Sequence, residues 1–425
     1  MNQPLTRRGF LHTSLGSAGL VLGGGTLSRA LFAADKPREK LPVAGVVTVY
    51  GKNSHADVII GKVLEGWAQD GGAGPDMKLV SLYVDQIGAN DLGAGLAKKH
   101  DFVSAKTIRE AITLGTDSLA VAGVLSIGEH GNYPHVPETE QTMYPRRRFF
   151  DEIAATFKQC GKVVPVFSDK HLSYAWSDAK HMFDTARELH IPFMAGSSVP
   201  VMWRSPSATI PIGSDVTEGL ALGYGGLEAY GFHSLEGMQC LMERRKGGET
   251  GVKSVQSVKG DAIWQAEKEG RWSRALFDAV VEASPTPYNG TKPRPKEIAK
   301  DAVFYLIDYR DGTKATIAMG TGFTHDFVSG VSIRGQEKPF AVTFVAQEGP
   351  PFSHFEHLLL AVEHMIHTGK PAYPVERTLL TTGILDAVLH SLADNSRRLE
   401  TPQLEVAYQP ADWAFAKGSP APPRA

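Results

Sequence analysis

Val163-Val164-Pro165-Val166-Phe167-Ser168-Asp169-Lys170-His171 is an apolar, β-branched run that ends abruptly in an acid, an amine and an imidazole. A run of this kind reads as a strand buried on both faces, and Gly161 ahead of it marks the turn that feeds it. Ligands of α/β sheets bind at the carboxyl ends of the strands. Lys170 is therefore the first candidate for chemistry, because an ammonium partly desolvated at a sheet edge can have its pKa drawn into an acid/base range.

Outward from this strand, strands and helices alternate. Residues 43–50 read as a strand, 51–54 as a turn, and 55–67 as a helix with Val58, Ile59, Val63, Leu64 and Trp67 at helical spacing. A second strand at 79–84 ends in Asp85, and a short helix follows at 91–99. Thr107 caps a helix over 107–114, with Glu110 three residues on. A further buried strand at 119–127 runs into Gly128-Glu129-His130-Gly131. Helices at 146–160 and 177–190 flank the Lys170 strand, and Phe193-Met194-Ala195-Gly196 is a last short strand. This order predicts a doubly wound parallel sheet.

At 425 residues, 42% hydrophobic and 21% charged, the chain has the length and balance of two globular domains. A net charge of -2 provides no basic field, and the only basic clusters are Arg146-Arg147-Arg148 and Glu243-Arg244-Arg245-Lys246. Nucleic acid is excluded as a partner on that ground. The three arginines are either a clamp for a substrate carboxylate or phosphate or a charged face at a helix start. The two cysteines, Cys160 and Cys240, lie in no metal-ligand spacing and read as unpaired buried thiols.

The first 34 residues are an address. Thr6-Arg7-Arg8-Gly9-Phe10-Leu11 is a twin-arginine pattern followed by a weakly hydrophobic Gly/Ala/Ser/Leu stretch and small residues at Ala33-Ala34. No stop-transfer pattern follows, so a periplasmic or extracytoplasmic protein without a stable membrane span is expected. Twin-arginine cargo crosses already folded, so a cofactor would travel tightly bound.

The first half reads as a Rossmann-like dinucleotide-binding domain with an altered phosphate loop. Only Gly51 stands in the first turn, where a fingerprint has three glycines. Ser54 and His55 open the helix, and Asp85 is placed for a ribose hydroxyl, where its charge would favour NAD over the 2′-phosphorylated form. Gly51, Ser54, His55, Asp85, Glu129 and Lys170 are the cofactor-binding candidates.

The order of elements over residues 40–395 resembles the glucose-fructose oxidoreductase / inositol dehydrogenase (Gfo/Idh/MocA) family, in a divergent, twin-arginine-exported subgroup. The resemblance rests on Gly161-Lys162 followed by Asp169-Lys170-His171, on Arg204-Ser205-Pro206, and on Gly231-Phe232-His233-Ser234-Leu235-Glu236. Here His171 stands where the family has a proline after its lysine. It implies an α/β fold: a Rossmann-like doubly wound parallel sheet over 37–200, then an α/β domain over 201–395 with an open mixed, largely antiparallel sheet, and an extended tail over 396–425. It also implies oxidation of a sugar, polyol or glycoside hydroxyl with NAD or NADP, and a homo-oligomer, since the family uses that second sheet for oligomer contacts. Lys170 falls on the family's catalytic lysine and His233 on its catalytic histidine, with Glu236 or Glu228 holding the imidazole.

A rival expectation comes from His55, Glu129, His130 and His171, which with His233 each follow a strand or start a helix. Imidazole with carboxylate is the usual set for Zn or Mn, so a metal-dependent lyase or hydrolase is the alternative, and a non-catalytic carbohydrate-binding protein a third possibility. No two of these residues stand at a His-x-x-x-His spacing.

Overall fold

The computed structural model describes residues 39–285, 301–320 and 324–424. The twin-arginine address at 1–34 lies outside them. The first sheet is built from β1 (Leu41–Val47), α1 (His55–Glu65), β2 (Met77–Val84), α2 (Gly93–His100), β3 (Val103–Ala105), α3 (Ile108–Thr113), β4 (Gly123–Ile127), α4 (Arg146–Cys160), β5 (Val166–Asp169), α5 (Trp176–Glu188) and β6 (Phe193–Gly196). Its strands are all parallel, in the order β3-β2-β1-β4-β5-β6. The order reverses between β1 and β4, which puts the ligand crevice at their carboxyl ends.

Local chemistry sets the boundaries. Ser54 caps α1 by accepting from the Asp57 N–H at 3.4 Å, and Thr107 caps α3 by accepting from the Glu110 N–H at 3.0 Å. Gly161 ends α4 in the left-handed region at φ 63°. The strand expected over 163–171 shrinks to Val166–Asp169, because Pro165 offers no N–H and Lys170 turns away at φ 69°.

The second sheet gathers β7 (Trp203–Ser205), β8 (Val216–Gly223), β9 (Val252–Lys259), β10 (Val303–Tyr309), β11 (Lys314–Met319), β12 (Phe327–Ile333), β13 (Phe340–Val345) and β14 (Leu399–Glu400). The strand order is β14-β9-β10-β11-β8-β12-β13-β7, antiparallel throughout except for the β11–β8 pair. Between these strands run α6 (Ala229–Met242), α7 (Asp261–Lys268) and α8 (Arg274–Ala283), and, between β13 and β14, α9 (His354–Thr368) and α10 (Glu376–Ala393). One face packs α6 and α10, through Phe232, Leu235, Ile384 and Val388 against Tyr305 and Ile317. The other face is covered by α7 and α8, with Trp272 and Phe277 on Leu220, Leu222 and Phe304.

Helix α9 returns to the first sheet, where Leu358, Leu359, Val362 and Met365 share a core with Val47, Ile59 and Leu125. The residues expected as an extended tail are tied down: Leu399–Glu400 adds a strand to β9, and Tyr408 and Phe415 are buried. Both cysteines are free thiols; Cys240 is buried and Cys160 half-buried. Among the described residues no helix is long and apolar enough to cross a membrane.

The helix that carries the candidate histidine, α6, is anchored at its far end. Arg377 of α10 grips Glu243 in a bidentate pair, through Nε at 2.8 Å and Nη2 at 2.5 Å, and the Tyr408 hydroxyl donates to the same carboxylate at 2.9 Å. All three groups are buried. Breaking such a pair by removing one partner costs about 3–5 kcal/mol, while removing both ions costs less. Arg377→Met is expected to lower unfolding free energy by that amount in urea titrations, and Arg377→Met/Glu243→Leu to recover part of it; a loss under about 1 kcal/mol for the single variant would show that the pair does not anchor the helix.

Candidate active site

Lys170 leaves the end of β5 in the left-handed region, its N–H donating to Gly196 O at 3.0 Å. A non-glycine residue held there costs on the order of 1–3 kcal/mol and persists where the surroundings over-determine it. The bend aims a buried ammonium at three acceptors: His233 Nε2 at 2.8 Å, Ala229 O at 3.4 Å and Glu129 Oε1 at 3.5 Å. An ammonium has three donors and no acceptor. His233 Nε2 is therefore the acceptor of that contact, and the partners assign the imidazole proton to Nδ1.

Nδ1 faces Ser197 Oγ at 3.0 Å, and the Ser197 hydroxyl in turn donates to Glu236 Oε2. The Ser197 N–H also donates to Glu236 Oε1 at 3.1 Å. A continuous hydrogen-bonded line thus runs Lys170, His233, Ser197, Glu236. Burial, and then the nearby Lys170 charge, hold the His233 imidazole well below its usual range, so it is neutral. Burial pushes the Glu236 carboxyl up to about 7, against the lowering effect of the Ser197 bonds.

Behind Lys170 lies a second layer. Arg146, buried at the start of α4, donates to Glu129 Oε2 at 2.5 Å and to His171 Nε2 at 2.9 Å. Burial alone would raise the Glu129 carboxyl, but Lys170 and Arg146 together hold it well below the carboxylate range. Burial and the Arg146 charge bring His171 down to about 4. Glu228 accepts from the Thr142 N–H at 2.9 Å and stands 3.6 Å from His171 Nε2. Of Glu236 and Glu228, both expected as supports of His233, Glu236 lies on its hydrogen-bonded line through Ser197, while Glu228 stands nearer His171 and bonds the Thr142 N–H.

At the crevice of the first sheet, His55 Nδ1 donates to Asp169 Oδ2 at 2.6 Å, and Asp169 Oδ1 is buried without a partner. The His55 ring meets His130 and Phe355 edge-on at 5.3 Å. Asp85, expected to be open for a ribose, is already engaged: Tyr83 donates to it at 2.7 Å, Tyr133 at 2.8 Å and Arg148 at 2.5 Å. The expected repulsion of a 2′-phosphate by Asp85 is accordingly offset by the Arg148 guanidinium. Arg147 pairs with Asp178 at 2.6 Å, so successive arginines on the first turn of α4 serve separate partners rather than one clamp.

The metal alternative meets a different arrangement. His55 turns to Asp169, while Glu129 and His171 both turn to Arg146, and the cations Arg146 and Lys170 stand among these groups. Among the described residues no group of three or more His, Cys, Asp or Glu side chains is disposed to hold a metal ion.

No family model matches the sequence, and no curated protein matches it. Solved structures do. GenD2 from gentamicin A biosynthesis, solved in complex with NAD, superposes with a TM-score of 0.55 at 15% identity, over 90% of this chain and 99% of that one. A probable dehydrogenase from Thermotoga maritima gives 0.52 at 12% identity, over 86% and 100%. A scyllo-inositol dehydrogenase from Lactobacillus casei gives 0.51 at 11% identity, over 85% and 98%. The fold is the Gfo/Idh/MocA fold.

That fold implies a dinucleotide, and the crevice can be tested for it. A Cβ built on Gly51 meets nothing within 4 Å, so the backbone ahead of α1 is open to close approach by a phosphate. Two of the donors at the α1 terminus are committed internally, the Asn53 N–H to Asp57 Oδ2 at 2.8 Å and the Asp57 N–H to Ser54. The orphaned Asp169 Oδ1 offers a buried acceptor at the same strand edge as Lys170. The residues fit the group at Gly51 and at the Lys170 end, with a ribose acid that is pre-engaged.

Ser197 is the residue of the candidate site that the sequence did not single out, and Arg146, expected in a clamp or on a charged helix face, instead binds Glu129 and His171. Ser197 follows the predicted strand 193–196 directly, which was a usable signal by the same rule that singled out Lys170. If burial and Arg146 control His171 as described, ¹⁵N NMR of the imidazoles should show His171 neutral at pH 6 and titrating near 4; a midpoint above 6 would contradict the buried Arg146 contact.

Proposed function

We propose that the protein is an NAD(P)-dependent oxidoreductase that removes hydrogen from a sugar or polyol hydroxyl in the cleft where the end of β5 meets α6. The observation that carries this reading is the line from Lys170 through His233 and Ser197 to Glu236. The dinucleotide, when bound, supplies the hydride acceptor; Gly51, Ser54 and Lys170 are the residues that would hold it. Everything else falls to the chain's own side chains.

Alcohol oxidation needs a base within hydrogen-bond reach of the hydroxyl and a donor for the negative charge developing on its oxygen. A substrate hydroxyl that displaces the direct 2.8 Å contact between Lys170 Nζ and His233 Nε2, and hydrogen-bonds to both, meets both needs. His233 takes the hydroxyl proton at Nε2 and passes its Nδ1 proton to Ser197, whose own proton goes to Glu236. Lys170 remains an ammonium and stabilises the alkoxide-like oxygen. Glu236, with a pKa of about 7, can accept that proton near neutral pH, which a carboxylate of ordinary acidity would do poorly.

The working state needs Glu236 ionised, so oxidation should rise as pH increases through about 7 and fall off below it. Losing a positioned base costs roughly 10² to 10⁴ in rate. His233→Ala and Lys170→Met are therefore expected to lose turnover by that order, with NAD(H) binding by calorimetry retained in His233→Ala and weakened in Lys170→Met, and Glu236→Gln to abolish the rising limb. Full turnover in both His233→Ala and Lys170→Met would remove these roles; absence of NAD(H) and NADP(H) binding to the purified protein would remove the reading itself.

The address at Arg7 and Arg8 supports a second element of the proposal, that the protein works outside the cytoplasm and carries its dinucleotide there. Arg7→Lys/Arg8→Lys should leave it in the cytoplasmic fraction on cell fractionation. Unchanged export would rule out the twin-arginine route.

A further inference from the structure

Away from the Lys170 cleft, a cavity of about 320 Å³ lies between the start of β7, the carboxyl half of α6, the start of α10 and the segment 411–417. Four cations and two carboxylates line it. Arg377 is clasped by Glu243 at 2.5 Å and Arg244 reaches Asp412 at 2.8 Å. Arg204 and Lys417 have no carboxylate within ion-pair distance among the described residues.

Arg204 is the unusual one. It is only 6% exposed; Nη2 donates to Pro200 O at 2.8 Å and lies 3.6 Å from Cys240 Sγ, while Nε has no acceptor. Its guanidinium lies over the Phe415 ring at 4.2 Å, and Lys417 Nζ stands 3.6 Å from the centroid of the same ring. Tyr373, on the same wall and 3% exposed, has a hydroxyl without a partner. Buried charges are normally paired, because an uncompensated one is costly. Here a buried guanidinium and a buried phenol leave donors unused around one cavity, with an exposed ammonium at its edge.

We propose that this cavity binds a small organic anion, with Arg204 and Lys417 taking the charge and Tyr373 donating to it. The size is at the small end of ligand pockets, and well above that of a bare inorganic ion. Val201, Trp413 and Phe415 supply apolar wall, so the ligand has a carbon body as well as a carboxylate or phosphate. Segment 411–417 forms one side of the site and is tied to the first sheet's neighbourhood by the Ala416 N–H donating to Val201 O at 2.9 Å.

The test uses the full chain, with gluconate, benzoate, glucose 6-phosphate and inorganic phosphate as probes in calorimetry and thermal unfolding. At least one organic anion should bind saturably and raise the unfolding temperature; preference among the four separates the carboxylate from the phosphate case. Arg204→Met should weaken that binding by about 10- to 100-fold, the loss expected for charged hydrogen bonds, and should unfold no earlier than wild type in the absence of anion, since it removes an unpaired buried charge. Tyr373→Phe and Lys417→Gln, which leave packing intact, should weaken binding to a lesser degree. No organic anion binding to wild type, or binding unchanged in Arg204→Met or, if that variant fails to fold, in both of the others, overturns the proposal. So does binding that Lys170→Met abolishes and Arg204→Met spares, since it would belong to the other cleft.

Discussion

One carboxylate holds the centre of this molecule together. Glu129, buried at the end of β4, faces Arg146 at 2.5 Å and Lys170 at 3.5 Å, two cations that are themselves buried. Without it both would be charges in a low-dielectric interior with no ionic partner, a situation that proteins avoid because desolvation costs several kcal/mol per ion. Its position also fixes theirs. Arg146 then sets the state of His171, and Lys170 sets the orientation of His233. The Thr48 hydroxyl donates to the Glu129 carbonyl at 2.6 Å, which ties the same residue to the chain leaving β1. The crevice of the first sheet and the cleft toward α6 therefore share a single electrostatic hub.

Much of this was legible in the sequence. The alternation of apolar runs with helix-spaced segments located every strand of the first sheet except the short β3, and the rule that polar groups at strand ends face the ligand pointed to Lys170, Asp169 and Glu129. What escaped was of two kinds. Strand β8 carries Glu218, Gly219 and Gly223, which spoil a strand pattern; a Cβ on Gly219 would come within 2.6 Å of Met238 Sδ on the helix packed across it, so the site requires either the glycine or a shift of that flexible side chain. That requirement belongs to the tertiary packing and leaves no local signal.

The second kind is directional. Arg146, Arg147 and Arg148 look alike in the sequence, yet successive helical residues project about 100° apart, so one points into the core, one to Asp178 and one to Asp85. Likewise Asp85 was correctly placed at the end of β2, and its engagement by Tyr83, Tyr133 and Arg148 depends on residues up to 63 positions away. Sequence position identifies which groups reach a strand end. Which of them are already spoken for is a property of the assembled surface.

The strand order of the second sheet constrains how the chain reaches its native state. β8 is central, yet its neighbours β11 and β12 begin at Lys314 and Phe327, and the first sheet receives α9 only from His354 onward. Pairings between distant segments must wait for loop closure and slow folding relative to local contacts. On the ribosome, β8 would emerge with both edges unpaired while nearly a hundred further residues are made, and the apolar face of α1 would stay uncovered longer still. A nascent chain of this topology exposes strand edges and apolar surface until α9 has been made, which makes the interval before then, rather than the folded protein, the stage most open to aggregation and to capture by chaperones.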